Sequence, residues 1–217
     1  MSVGAPHREP AFNAPWPAVV LAAAILAAYS VQSLSGESDQ IITAFAFSSA
    51  GLAAGQGWGL VTALFVHAGW THALLNAVAA LAFGSPVARR FGLRGGGPVI
   101  FFVFYLLCGA IGSLGFALVR PGSDAVLIGA SGAVAGLMGA SSRMLGQAGR
   151  LAPYADPFVL GGAVGWVIIN LVFAVFGSGG FAGPGPIAWQ AHLFGYAAGL
   201  ALIGPLDGLI RGPSKEG

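Results

Sequence analysis

The chain has 217 residues, of which 56% are hydrophobic and only 7% charged, with 36 glycines and a formal net charge of +2. A water-soluble domain of this length needs far more charge to cover its surface, whereas a helical membrane protein does not, and it tolerates glycine at helix contacts. The small net charge, with no basic patch interleaved with aromatics, argues against a nucleic-acid partner, and the single cysteine, Cys108, cannot form an internal disulfide and reads as a packing residue.

A membrane span needs about 20 apolar residues. Six stretches qualify: Trp16–Gln32, Gly69–Ala88, Pro98–Val119, Leu127–Gly146, Pro157–Phe176 and Ile187–Leu206. The expected organisation is a tail at 1–15, one membrane domain over 16–206 and a second tail at 207–217. Both tails are expected to be mobile. The run Leu60–Phe65 is apolar but short, and reads as an interfacial piece leading into the second span. The first run is long for a signal-peptide core, and the tail before it holds Pro10 and Pro15, so it is read as a retained span. No internal repeat of the kind found in inverted-repeat transporters is visible.

Positive charge alternates between the connecting segments. Arg8, then Arg89, Arg90 and Arg94, then Arg143 and Arg150, then Arg211 and Lys215 all fall on one side of such a topology. The other side has Arg120 near Asp124, and Glu37 and Asp39 in its first loop. By the positive-inside rule both termini are cytoplasmic, and the second, fourth and sixth spans run from outside to inside.

Several polar residues inside these runs need an explanation, because ionisable and hydrogen-bonding groups are expensive in lipid. A lone His or Asn in a span commonly serves as a helix–helix hydrogen-bond partner. Here, however, His67 and His72-Ala-Leu-Leu-Asn76 open the second span, Ser131 lies early in the fourth and His192 early in the sixth. His72 and Asn76 are four apart and share one helix face. At about 1.5 Å per residue, Asn76, Ser131 and His192 fall at similar shallow depths below the outer face. Gly132-x-x-x-Gly136 follows Ser131, with Ala135 and Gly139 extending a small-residue face, and Gly195-x-x-x-Gly199 follows His192. Small-xxx-small surfaces let two helix backbones approach closely, which would bring the hydroxyl within reach of the imidazole.

A serine hydroxyl is a weak nucleophile until a base takes its proton, and His192 is the base in register with Ser131. Lys215 lies in the cytoplasmic tail, which removes a Ser–Lys pair, and no carboxylate lies in a span near the outer side. A Ser–His dyad is therefore preferred to a triad. The stretch has no H-E-x-x-H for a zinc protease, and no cofactor or metal is expected. Gly129-x-Ser131-x-Ala133 lacks the last glycine of the α/β-hydrolase elbow. Acyl transfer also needs donors aimed at the developing oxyanion. The Ser131 N–H at a helix start is one, and His72 and Asn76 can add side-chain donors. Gly129 and Gly132 would let a substrate backbone come close.

Taken in order, the block His67…His72…Asn76 with Trp70 and Phe83-Gly84, then Gly129-Ala130-Ser131-Gly132, then Ala191-His192-x-x-Gly195, resembles the rhomboid intramembrane serine proteases over about Trp58 to Leu206. The resemblance implies an all-α, six-helix bundle with a water-filled catalytic cavity opening outward. It implies Ser131 as nucleophile, His192 as general base and an oxyanion hole from His72, Asn76 and the Ser131 N–H, with His67 supporting the loop end beside it. It also implies single-span membrane proteins as substrates, cut near their outer ends. The fifth span and the loop above it would act as an entry gate; the Gly/Pro-rich loop 177–186 reads equally as a cap or an ordinary connector, and Trp166, Phe173 and Phe176 equally as lipid-facing or gating. The expected location is multi-pass in a bacterial inner membrane. Two positions depart from the family: a tyrosine often found four residues after the nucleophile is Ala135, and a common Trp-Arg pair in the first outer loop is Trp58-Gly59. The alternative reading is a catalytically silent relative that binds transmembrane helices. The oligomeric state is not legible.

Overall fold

The computed structural model describes residues 13–145, 149–177 and 187–211. Among these the chain is all-helical, with a single isolated antiparallel bridge between Phe47 and Leu127. The helices are α1 (Trp16–Leu34), α2 (Ser38–Phe45), α3 (Ser49–Ala53), α4 (Gly59–Thr62), α5 (Trp70–Phe91), α6 (Gly97–Val119), α7 (Ser131–Ser142), α8 (Pro157–Phe176) and α9 (Trp189–Arg211), with a 3-10 turn at Ala63–Phe65 after α4. Three of the long helices carry proline in the first turn, where its missing N–H is no loss: Pro17 in α1, Pro98 in α6 and Pro157 in α8. Asp156 also caps α8, accepting from Phe158 N at 2.9 Å.

Five helices, α1, α5, α6, α8 and α9, are long and apolar enough to cross a bilayer. The fourth expected span differs. Of Leu127–Gly146, only Ser131–Ser142 is helical among the described residues, 12 residues or about 18 Å. Its missing first turn has a clear cause. Leu127 exchanges both backbone hydrogen bonds with Phe47, at 2.7 and 3.0 Å, Gly129 N donates to Ala63 O at 2.9 Å, and Gly129 sits at φ +103°. These long-range bonds hold 127–130 outside the helix and place Ser131 in its first turn rather than a few residues inside it. Gly146 and the tail residues 1–12 and 212–217 lie outside the described residues.

At the other end of the bundle α9 runs past Leu206 to Arg211 rather than ending at the expected boundary. Asp207, read as the start of a tail, is buried and paired with Arg90 of α5 at 2.6 Å and with Arg211 at 2.8 Å. Arg90 also donates to Gly149 O, and Arg211 to Arg90 O. The C-terminal ends of α5 and α9 are thereby clamped side by side, which continues the helix into the charged layer.

α7, the shortest of the core helices, is almost wholly buried between α5, α6 and α9. Glycine decides how closely α9 lies against it. A methyl group on Gly195 would run into the Gly132 carbonyl, one on Gly199 into the Gly136 carbonyl, and one on Gly139 into the Tyr196 carbonyl. Both Gly-x-x-x-Gly faces are thus used, each against the other. Gly132 itself has only ordinary contacts on its Cβ side, at 3.5 Å or more. By contrast, α8 buries only Val159 and Asn170, so most of its surface faces outward.

Candidate active site

The N-terminal ends of α5, α7 and α9 converge. Ser131 is the first residue of α7, and its Oγ lies 2.8 Å from His192 Nε2 in the first turn of α9. The pairing follows from the glycine contacts just described, because they leave no side chain between the two backbones one turn further along. The other ring nitrogen, His192 Nδ1, lies 3.0 Å from Asn170 Oδ1 on α8. Trp166, one turn before Asn170, donates from Nε1 to His192 O at 3.3 Å, and its ring lies 6.0 Å from the imidazole. Trp166 is in turn stacked on Tyr196 of α9.

His72 and Asn76 come to the same place from α5. A Cβ on Gly129 would stand 2.6 Å from His72 Cε1 and 2.7 Å from Nε2, so the imidazole lies directly on the bare Gly129 backbone. Gly129 is therefore fixed twice, by its positive φ and by this contact. Asn76 Nδ2 donates one proton to His72 O at 3.1 Å. An amide nitrogen has two protons, so a second is left for a ligand. The first-turn N–H of Ser131 has no partner within its own helix, as at any helix start.

His67 does not reach Ser131 or His192. It is fully buried and organises the loop beneath it. Ala130 N donates to its Nε2 at 3.4 Å, and its ring meets His72 edge-on at 5.1 Å. Burial, with His72 beside it, pushes the His67 imidazole down to about 3, so the ring is neutral and can accept. Its backbone is gripped by Gln32 of α1, which accepts from His67 N at 3.0 Å and donates to His67 O at 2.8 Å.

A cavity of about 710 Å³ lies over the pair, lined by Ser131, His192, His72, Asn76, Trp166 and Arg120 among others. No cluster of three or more metal-binding side chains occurs among the described residues. Phe173 and Gly177 also line the cavity, while residues 178–186 of the expected gate loop lie outside the described residues. Gly59 stands where a side chain would not fit. A Cβ there would stand 2.8 Å from Ala46 O and 3.0 Å from Phe47 Cα, so glycine admits the segment that pairs with Leu127. Ala135 is buried in the core of α7.

Sequence reasoning missed Asn170 and Gln32. Each is a strongly polar side chain in an apolar run, the same signal that singled out Ser131 and His192.

The motif model of the Rhomboid domain matches residues 54–206, more than two thirds of the chain. The chain belongs to the rhomboid family. Family membership, with the apolar helices, makes it a multi-pass integral membrane protein. It is also similar to a protein of Bacillus subtilis (strain 168) named "Putative rhomboid protease YdcA", 36% identical over 84 residues. That match covers 39% of this chain and 39% of the Bacillus protein. The matched family segment begins before α4 and ends inside α9, so it takes in Ser131, His192, His72 and Asn76.

Proposed function

We propose that this rhomboid-family chain is an intramembrane serine endopeptidase that cleaves single-span membrane proteins near their outer ends. The observation that carries the reading is the 2.8 Å contact between Ser131 Oγ and His192 Nε2 beneath a cavity. In this reading His192 takes the Ser131 proton as Oγ attacks the scissile carbonyl. The tetrahedral oxyanion forms beside the Ser131 N–H, Asn76 Nδ2 and the His72 ring. Collapse breaks the C–N bond, and His192 hands the proton to the leaving amine. Water, deprotonated by the same imidazole, then hydrolyses the acyl-enzyme and frees Ser131. The dyad needs no carboxylate, cofactor or metal.

The charge alternation supports a topology with both termini cytoplasmic and the cavity opening toward the outer face, in a bacterial inner membrane. Within the family's six-helix scheme, α7 is the short central helix, sheltered from lipid by its neighbours. In this reading the weakly buried α8 serves as the lateral gate.

The test is hydrolysis of a panel of single-span substrates by the protein reconstituted in liposomes, with cleavage sites mapped by mass spectrometry. Cuts should cluster at the outer end of each substrate span. The pH–rate profile should show one acidic limb, activity falling as His192 becomes protonated and can no longer accept. A rate with no acidic limb over the whole pH range in which the protein stays folded would contradict a base role for His192. Asn76→Ala should lower kcat by about 10²-fold, the usual loss for one oxyanion donor, with KM little changed. A wild-type kcat in that variant would remove Asn76 from the oxyanion hole.

A further inference from the structure

Asn170 is completely buried on a helix that otherwise buries only Val159. An amide is costly to place there unless its polar atoms are used, so its partners are informative. Both ends are used. Nδ2 donates to the Trp166 carbonyl one turn back at 2.8 Å, and Oδ1 lies 3.0 Å from His192 Nδ1. An amide nitrogen only donates and an amide oxygen only accepts, so the Trp166 bond fixes which way the amide faces. A flipped amide would set its oxygen against the Trp166 carbonyl oxygen. With Oδ1 accepting, the imidazole proton sits on Nδ1, and Nε2 presents its lone pair to Ser131 Oγ at 2.8 Å.

The geometry points to Asn170 as the positioning residue of His192, selecting the tautomer that can take the Ser131 proton and tying that tautomer to the seating of α8. The inference rests on Ser131 and His192 being nucleophile and base. The Nδ1–H bond persists when the ring becomes an imidazolium, so the amide dipole also favours the charged form that arises during attack. Trp166 reinforces the arrangement from the same helix through its bond to His192 O and its ring beside the imidazole. The support of His192 thus comes from two residues of α8, one turn apart.

Nitrogen NMR on the full chain in lipid nanodiscs, with 15N-labelled histidine, distinguishes protonated from bare ring nitrogens, and the His192 signals are assigned by their loss in His192→Ala. The wild type should show His192 protonated at Nδ1 and bare at Nε2 at neutral pH. Asn170→Leu should lose that preference, and its reaction with a fluorophosphonate at Ser131 should slow by about 10²-fold, the scale of a misplaced catalytic group. Asn170→Asp, which keeps an acceptor at Nδ1, should retain the tautomer and recover most of the rate. Asn170→Leu with the wild-type tautomer, or Leu and Asp variants equally slow, would overturn the inference. If Asn170→Leu fails to fold, the wild-type spectrum and Asn170→Asp still decide it. The spectrum does not depend on turnover. A folded, inert wild type with an Asn170-dependent tautomer would sink the protease reading alone, and an active wild type whose tautomer and rate do not change in Asn170→Leu would sink this inference alone.

Discussion

Replacing Ser131 with alanine is expected to reduce substrate cleavage to background, a loss on the order of 10⁶-fold in kcat, as when the nucleophile of a serine protease is removed. His192→Ala should fall nearly as far. The informative comparison is the double variant. Two groups that act in one proton transfer lose their effect together, so the double variant should be no slower than either single one. Losses that multiply would mean that the two side chains act independently despite their 2.8 Å contact. Ser131 Oγ makes no other side-chain hydrogen bond among the described residues, so the alanine variant should keep the unfolding midpoint of the wild type. That separates lost chemistry from lost structure.

The second large effect is structural. Gly199→Leu should destabilise the bundle by roughly 3 kcal/mol or more, at or above the usual range for overpacking. The reason is that its Cβ points into the backbone carbonyl of Gly136, which cannot rotate away as a side chain could. The strain has one outlet, a wider spacing of α7 and α9, and this spacing holds Ser131 Oγ and His192 Nε2 together. Activity should therefore fall more steeply than the unfolding midpoint in a milder Gly199→Ala variant. Gly208→Leu is the control: it lies on the same helix, but nothing stands within 4 Å of its Cβ position. Equal midpoints for Gly199→Leu and Gly208→Leu in detergent would show that the close glycine contact contributes nothing.

The site residues were legible for a physical reason. Lipid penalises polar side chains, so each one in an apolar run stands out, and charge alternation puts Asn76, Ser131 and His192 toward the same end. The contact between them was legible only as far as the two Gly-x-x-x-Gly faces implied it. Other features were hidden because they depend on distant partners. Residues 127–130 are apolar enough to extend a span, and only their backbone bonds to Phe47 and Ala63 keep them out of α7. Asp207 looked like the end of a span because its burial depends on Arg90, 117 positions away. Asn170 gave the same polar signal as Ser131 but meets His192 22 positions away, on another helix. Spacing along one helix cannot reveal such a pairing.

The most direct test of the central claim is reaction of the reconstituted protein with a fluorophosphonate, followed by peptide mapping of the adduct. Such reagents bond covalently to a serine activated by a neighbouring base. The account predicts one adduct, on Ser131, absent from Ser131→Ala and strongly slowed in His192→Ala. A folded wild type that takes no label, or a label that persists in Ser131→Ala, would contradict it.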